Sequence, residues 1–227
     1  YTHYPTAGTW QLLETEVSAE EFQNLPSYRG KFFQVGLDAL DSVTKVNLCD
    51  NSVELSILTP EDMFLSAIVI DEKGKKYDNR NFVQKVDNKT TISAVFPSPG
   101  KWILRIFVKT KEESSGSWIV DLGYISSNKT DLKFPVQYKN YQENGFFLYS
   151  PMGDNPIVGE KTDIKIKLPG YEVAFIDAGS GRVPMERNGD IFTLNLTIPN
   201  TSKLSMFGSR SASARRYEGI MTFPVLK

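Results

Sequence analysis

Short apolar segments separated by polar turns make up the chain from residue 28 to residue 126. In residues 53–57 (VELSI) apolar and polar side chains alternate, which places the apolar ones on one face of a strand. Residues 71–76 are polar and include a glycine, so they predict the turn of a hairpin. The pattern predicts strands at Phe32–Asp38, Val43–Leu48, Val53–Thr59, Phe64–Ile70, Phe82–Val86, Thr90–Phe96, Trp102–Lys109 and Trp118–Ile125.

The same pattern starts again after residues 126–131 (SSNKTD), a polar segment without periodicity that predicts a linker. Three strand-and-turn signatures of the first half recur in the same order in the second half. Residues 55–60 match 164–169, residues 67–71 match 173–177, and residues 92–102 match 194–204. We therefore predict an all-β protein that contains two copies of one sandwich of about 95 residues, at 28–130 and 131–227.

Residues 1–27 differ from the rest because they contain a helix start. Ser18 is the expected N-cap and Glu21 its reciprocal partner, while Val17 and Phe22 occupy the positions of a hydrophobic staple. Pro26 ends this helix within two turns. Because a helix this short must rest on a larger body, we interpret residues 1–27 as the tail of an upstream domain or as a strap that packs on the β region.

The charge balance excludes several classes of partner. Lys and Arg total 26 against 27 Asp and Glu, for a formal net charge of -1. This balance argues against a nucleic-acid partner and against polybasic attachment to a membrane. No run approaches the roughly 20 apolar residues that cross a bilayer, so we expect no membrane insertion. The chain begins at Tyr1 rather than at a methionine, and we interpret it as a piece of a longer protein.

The chain holds one histidine, His3, and one cysteine, Cys49. A catalytic dyad needs a base within hydrogen-bond reach of its nucleophile, and His3 is the only imidazole available. One Cys and one His cannot form a Cys/His zinc site or an intrachain disulfide. The charged neighbour of Cys49 is Asp50, which does not favour a reactive thiolate. We therefore expect no catalytic residue, no metal site and no cofactor, and we interpret Cys49 as a structural thiol.

An aromatic stretch follows the linker, from residue 134 to residue 151. Aromatic rings are efficient anchors for a partner, and they would serve equally well as a seam between two domains. The sequence leaves both interpretations open. The predicted partner-binding residues are Tyr138, Tyr141, Phe146, Phe147 and Tyr149.

Acceptor sequences for N-glycosylation occur at Asn88, Asn128, Asn195 and Asn200. About two would arise by chance at this content of Asn, Ser and Thr. The excess keeps an extracellular location open, while we favour a cytoplasmic or cytoskeletal one.

Several short motifs follow one another along the chain. They are YTHYP, WQLL, SxxEF, LP and FFxxGL in residues 1–37, DxFLSA and VFPxPGK in residues 62–101, and FP, LYSP, LPG and YEG in residues 134–219. Together they resemble the kyphoscoliosis peptidase and hillarin group of transglutaminase-like proteins. The resemblance implies an upstream transglutaminase-like core followed by immunoglobulin-like domains, with His3, Trp10 and Phe22 contacting that core. It also implies that the catalytic Cys, His and Asp lie upstream, and no residue of this chain corresponds to them.

These inferences combine into two tandem immunoglobulin-like β-sandwich domains preceded by a short helical connector. We expect a non-catalytic protein-binding scaffold, in line with the pseudoenzymes of that group, whose partner is another protein or the parent's own transglutaminase-like domain. One alternative is the accessory, substrate-positioning half of an active cysteine peptidase. A second alternative is an extracellular adhesive or carbohydrate-binding module. The oligomeric state is left open.

Overall fold

The computed structural model describes residues 18, 25–38, 40, 43–138 and 141–227. Apart from Ser18, the predicted helix of the connector lies outside the described residues.

The first half of the chain forms two sheets. Its elements are β1 (Ser27–Tyr28), α1 (Gly30–Gln34), β2 (Val46–Cys49), β3 (Ser52–Leu58), β4 (Met63–Asp71), β5 (Lys76–Tyr77), β6 (Asn81–Val86), β7 (Lys89–Val95), β8 (Gly100–Thr110) and β9 (Ser117–Ser126). One sheet has the order β1-β9-β8-β4-β5, with β2 running parallel to β9, and the other has the order β3-β7-β6.

The second half repeats this arrangement. Its strands are β10 (Val136–Gln137), β11 (Phe147–Ser150), β12 (Lys161–Lys167), β13 (Val173–Asp177), β14 (Arg182–Pro184), β15 (Glu186–Asn188), β16 (Ile191–Thr197), β17 (Lys203–Ser209) and β18 (Glu218–Pro224). The sheets have the orders β10-β18-β17-β13-β14 and β11-β12-β16-β15.

The two halves correspond strand by strand, apart from β11, which has no counterpart in the first half. The series β9-β8-β4-β5 is matched by β18-β17-β13-β14, and β3-β7-β6 is matched by β12-β16-β15. Even the edges agree, because β1 pairs with β9 as β10 pairs with β18, and the parallel β2 has a counterpart in the parallel bridge between Ile157 and Leu226. Two facing sheets of this order are the architecture of immunoglobulin-like sandwiches. The predicted tandem of such sandwiches is confirmed.

The alternating segments have the expected faces. In β3, for example, Ile57 is buried in the core while its neighbours Ser56 and Leu58 are exposed. Leu104, Ile106 and other alternate residues of β8 and β9 fill the first core. Burial of such strand faces is the main source of stability in a sandwich.

The predicted strand Phe32–Asp38 is wrong, because its first residues belong to the helix α1. Phe32 is fully buried, and its ring packs 4.5 Å from that of Tyr28 and 5.3 Å from that of Phe33. Gly36 then turns the chain with a φ of 74°. A short apolar run cannot be assigned to a strand or a helix by periodicity alone, and here the packing around Phe32 decides.

Each sandwich has its own core, and the second core extends into the first sandwich. Phe82 of β6 and Val95 of β7 belong to the cluster that contains Ile164, Ile176 and Phe223. The second half thus buries the outer face of the sheet β3-β7-β6 at Phe82 and Val95, whereas the outward side chains of β3 stay exposed.

Candidate functional site

An aromatic seam joins the two sandwiches. We define it by the rings of Phe82, Phe134, Tyr141, Phe146 and Tyr171. Their centroids follow one another at 6.1, 5.8, 5.7 and 5.2 Å, from Phe134 through Phe82, Tyr141 and Phe146 to Tyr171. Phe134 and Phe82 are stacked and the other three pairs are edge-to-face, and both arrangements add to the gain from burying the rings. The seam therefore connects a strand of the first sandwich with the core of the second.

Gln84 lies at the centre of the seam and is 7% exposed. Its side-chain carbonyl accepts hydrogen bonds from the backbone N–H of Leu148 at 2.7 Å and from the hydroxyl of Tyr141 at 3.2 Å. Its amide group donates to the backbone carbonyl of Leu148 at 3.2 Å. One side chain thus satisfies both backbone groups of Leu148, as a neighbouring strand would.

Further polar contacts hold the linker and the segment after it. The guanidinium of Arg80 donates to the carbonyls of Thr130 and Leu132. Gln137 donates to the carbonyl of Val83 at 2.7 Å. Burial lowers the pKa of Arg80, which nevertheless stays fully charged because arginine titrates far above neutral pH. These contacts fix the second sandwich against β6 at several points along its length.

The predicted partner-binding residues fall into two groups. Tyr141 and Phe146 are buried in the seam, so these two cannot contact a separate partner while the seam is closed. Tyr149 is 45% exposed and Tyr138 is 39% exposed. The structure therefore leaves Tyr138, Phe147 and Tyr149 as the accessible members of the set.

Phe147 and Tyr149 lie on one exposed sheet face of the second sandwich. Their ring centroids are 5.0 Å apart, and the ammonium of Lys165 lies 5.2 Å from the ring of Tyr149. Lys161 and Lys167 are exposed at alternate positions of the same strand, β12, and therefore share this face. We call these five residues the ring-lysine face. It offers apolar rings beside positive charge.

The predicted contacts with an upstream domain, His3, Trp10 and Phe22, lie outside the described residues. Cys49 is half-buried at the end of β2, where its thiol lies 3.8 Å from the carbonyl of Ile125. Burial, and after it the charge of Asp50, raises the pKa of this thiol. The thiol is therefore protonated near neutral pH, which disfavours nucleophilic chemistry.

A cleft of about 750 Å³ opens beside the seam between β3 and the segment 152–157. Its lining includes the carboxylates of Glu54, Asp131 and Asp154 together with apolar side chains such as Val95 and Met152. Across the part of the chain that the structure describes, no group of three or more His, Cys, Asp or Glu residues is arranged to hold a metal ion. Nor is any helix in these described ranges long and apolar enough to span a membrane.

A second exposed surface, which was not predicted from the sequence, lies on the first sandwich. Leu122 and Tyr124 of β9 point into the core, so Gly123 and Ile125 point outward. Val46 and Leu48 of β2 are the register partners of Gly123 and Ile125 and share their face. Leu48 is 82% exposed and Val46 is 52% exposed.

The same face continues across the sheet through other isoleucines. Ile103 of β8 is the register partner of Gly123, and Ile70 of β4 is the partner of Ile103. Ile68 lies two residues from Ile70 and so has the same orientation. We call this surface the apolar outer face, and it consists of Val46, Leu48, Ile68, Ile103 and Ile125, whereas Ile70 on the same side of the sheet is buried. None of these five belongs to the core cluster of the first sandwich. In the sequence these residues occupy alternate positions of their strands. This alternation shows that they share one face only when the register of the strands is known.

Comparison with known proteins adds a family. The family model described as "KY-like, immunoglobulin-like domain" matches residues 19–139, which is more than half of the chain. No curated protein matches the sequence.

Several solved structures share a general likeness. The I-band fragment I67-I69 from titin is 10% identical, with 83% of this chain and 64% of that chain covered and a TM-score of 0.25. Titin Ig tandem domains A164-A165 are 10% identical, with 80% and 91% covered and a TM-score of 0.25. The glucan-utilisation protein SGBP-B of Bacteroides ovatus, in complex with a mixed-linkage heptasaccharide, is 15% identical, with 80% and 42% covered and a TM-score of 0.24. TM-scores of this size carry no further argument. The family match over residues 19–139 stands on its own, and the chain belongs to the family of KY-like, immunoglobulin-like domains.

Proposed function

We propose that this chain is a non-catalytic protein-binding scaffold in which the seam holds two sandwiches in a fixed relation. The observation that carries the proposal is the continuity of the second core with Phe82 and Val95 of the first sandwich. Two domains that share a core present their surfaces to a partner as one body. We extend the proposal to the boundaries 28–130 and 131–227, with residues 1–27 as the connector.

The ring-lysine face is the proposed partner surface. Tyrosine and phenylalanine are enriched where binding energy concentrates, and lysines around them favour a partner that carries carboxylates. The experiment compares the wild-type chain with a Phe147→Ala/Tyr149→Ala variant in quantitative affinity purification. A partner that uses this face should bind the variant at least tenfold more weakly.

The matched control is Leu58→Ala, which removes another exposed apolar side chain from a different sheet. Leu58 is 63% exposed on β3 of the first sandwich. Retention of every partner by the double variant, or equal losses in the variant and the control, would exclude the ring-lysine face.

The absence of catalysis is tested on the full chain with peptide-hydrolysis and acyl-transfer assays. The raised pKa of the Cys49 thiol and the lack of a described imidazole beside it predict no turnover. Measurable turnover that Cys49→Ala abolishes would overturn this part of the proposal.

The parent protein is a further part of the proposal. The family match and the motifs quoted above support a transglutaminase-like parent whose triad lies upstream of this chain. In such a parent the chain would bind a separate protein or the parent's own core, or position substrate for an active peptidase. The parent's full sequence tests this, because an upstream Cys, His and Asp set should be present.

An extracellular adhesive role has one specific observation in its favour. Asn88, Asn128, Asn195 and Asn200 are all exposed. Mass spectrometry of the protein purified from its natural source tests the alternative. Glycan mass on Asn88 or Asn195 of the natural protein would favour the extracellular role over the cytoskeletal one.

A further inference from the structure

The two sandwiches differ at one sheet edge. In the second sandwich β11 lies beside β12 and pairs with it antiparallel, with Leu148 opposite Ile166. In the first sandwich β3 takes the place of β12, and within the described part of the chain β7 is the only strand that pairs with it. The position that β11 fills beside β12 therefore has no described strand beside β3.

The backbone of β3 has free hydrogen-bonding groups along this edge. The N–H of Phe96 donates to the carbonyl of Asn51, and the N–H of Thr59 donates to a carbonyl in the turn before β7, so the odd-numbered residues of β3 bond to β7. In an antiparallel ladder the alternate residues direct their N–H and C=O groups to the opposite side. Those residues are Ser52, Glu54, Ser56 and Leu58. Among the described residues, no hydrogen bond outside the pairing of β3 with β7 uses their backbone groups.

The strand lacks the features that protect an edge. β3 (SVELSIL) has seven residues, holds no lysine, arginine or proline, and pairs with β7 without a bulge. Edge strands in soluble proteins are commonly very short, broken by a bulge or proline, or marked by lysine. A long edge without these features is a template for another strand.

The core beneath β3 is also less covered than its counterpart. Residues 55–60 correspond to 164–169, so Leu55 stands where Ile164 stands in the second sandwich. Ile164 is 1% exposed, whereas Leu55 is only partly buried. Leu148 of β11 is 1% exposed, which shows how an apolar side chain of an added strand is buried at this position. A strand beside β3 would therefore bury apolar surface as well as pair backbone groups.

The cleft beside the seam gives this edge a negative charge. Glu54 is an outward residue of β3 and lines the cleft together with Asp131 and Asp154. Among the described residues that line the cleft, none is a lysine, an arginine or a histidine. Asp131 makes one pair of 3.7 Å with Lys129, and because both side chains are exposed this pair contributes little. A positively charged side chain opposite Glu54, with its Cβ about 5 Å away, would complement this charge.

We propose that the free edge of β3 binds an extended segment of a partner protein, which adds antiparallel to Ser52–Leu58 as β11 adds to β12. An apolar side chain of the segment packs beside Leu55, and a lysine or arginine at its C-terminal end lies near the carboxylates of the cleft. The C-terminal end takes this place because β3 begins at the cleft and an antiparallel strand ends there. The site is independent of the ring-lysine face, which lies on the other sandwich.

A labelled peptide provides the probe. The sequence FFLYSKK joins residues 146–150 of this chain, which include most of β11, to two lysines at the C-terminal end. Two control peptides keep the same five residues: KKFFLYS has its lysines at the other end, and FFLYSEE has the opposite charge. In fluorescence polarisation with the full chain, FFLYSKK should bind about tenfold more tightly than either control, because only its lysines meet the carboxylates of the cleft.

Substitutions at Ser56 test the backbone pairing. Ser56→Pro removes an N–H that faces the added strand, and proline is tolerated on an edge strand where the N–H is not part of the ladder. Ser56→Ala, the matched control, shortens the same side chain and keeps the N–H. Ser56→Pro should weaken the binding of FFLYSKK about tenfold. Ser56→Ala and Leu58→Ala should bind it as the wild type does, because the backbone of β3 makes the contacts.

A charge reversal gives a second route that does not depend on the folding of Ser56→Pro. Glu54→Lys leaves the backbone groups of β3 in place and should weaken the binding of FFLYSKK but not that of KKFFLYS. Equal binding of FFLYSKK and its two control peptides to the wild type would overturn the proposal. Equal losses in Ser56→Pro and Ser56→Ala would also overturn it.

Hydrogen exchange followed by NMR distinguishes the occupants of the edge. The amides of Glu54 and Ser56 should exchange rapidly in the isolated chain and slowly when FFLYSKK is bound. Slow exchange of these amides in the isolated, dilute chain would overturn the proposal, because another part of the same chain would then cover the edge. Slow exchange that develops only at high concentration, with a dimer in sedimentation that Ser56→Pro abolishes, would overturn it and assign the edge to a second copy.

Discussion

Replacing Gln84 by alanine tests whether the seam couples the two sandwiches. The substitution removes the hydrogen bonds that this side chain makes with both backbone groups of Leu148 and with the hydroxyl of Tyr141. The N–H and carbonyl of Leu148 and the hydroxyl of Tyr141 then stay buried, because both residues are nearly inaccessible to solvent. A buried group that loses its partner costs more than the same group at the surface.

The expected loss follows from these three contacts. At about 1 kcal/mol for each hydrogen bond, Gln84→Ala should lower the free energy of unfolding by about 3 kcal/mol. Tyr141→Phe removes one of the three bonds and leaves the ring in place, so it should cost about 1 kcal/mol. The ratio of these two losses tests the reasoning better than either loss alone, because it depends less on the free energy assigned to one hydrogen bond.

Urea unfolding of the full chain provides the measurement. The tryptophans are Trp10, Trp102 and Trp118, so fluorescence reports on the first sandwich and its N-terminal extension, whereas circular dichroism reports on both sandwiches. The two probes should give coincident transitions in the wild type and separate ones in Gln84→Ala. A loss in Gln84→Ala no larger than that in Tyr141→Phe, with the transitions still coincident, would refute the coupling.

Three further predictions concern single sites. Burial, and after it the charge of Asp50, raises the pKa of the Cys49 thiol. Iodoacetamide should therefore alkylate this thiol more slowly than free cysteine at pH 8. Asp50→Asn should speed the reaction. Burial, with a hydrogen bond to a carboxylate as the second cause, raises the pKa of Tyr171 from 10.0 to about 12. The folded state thus favours the protonated phenol. Its contribution to the free energy of unfolding is complete below pH 10 and is lost as the pH rises from 10 to 12. Tyr171→Phe should therefore reduce the fall in the free energy of unfolding that is measured over this range. A Cβ at Gly219 would lie 2.5 Å from the ring of Tyr138, so Gly219→Ala should lower the melting temperature, with a cost of about 1–3 kcal/mol.

The sandwich architecture could be predicted from the sequence because its strands alternate. Residues 53–57 already showed which side chains face the core, and the repeat of this pattern at 164–169 showed that a second copy exists. The strand prediction for residues 32–38 was wrong because this segment has no such alternation. Its two adjacent phenylalanines fit a strand or a helix, and the rings that surround Phe32 come from the fold rather than from the local sequence.

The seam and the apolar outer face could not be derived from the sequence. Gln84 is part of an alternating segment whose outward side would normally meet water, and it is buried where Tyr141 and Leu148 contact it. Nothing in the aromatic stretch distinguishes Tyr141 from Tyr149, yet Tyr141 is buried and Tyr149 is exposed. Leu48 differs from its neighbours through the parallel register of β2 on β9. Contacts between residues far apart in the sequence determine whether each of these side chains is buried or exposed.

The shared core also sets an order of events during synthesis. The first sandwich contains its complete set of strands by residue 126, but the rings that pack on Phe82 and the groups that bind Gln84 belong to Phe134, Tyr141 and Leu148. At 5–20 residues per second, the ribosome needs about 1–4 s to pass from Ser126 to Leu148. During that interval the nascent chain carries an uncovered patch on β6 and β7, at which two neighbouring nascent copies, or the late half of one chain and the early half of another, can meet. The length of chain between the two sandwiches therefore sets how long this patch stays uncovered during synthesis.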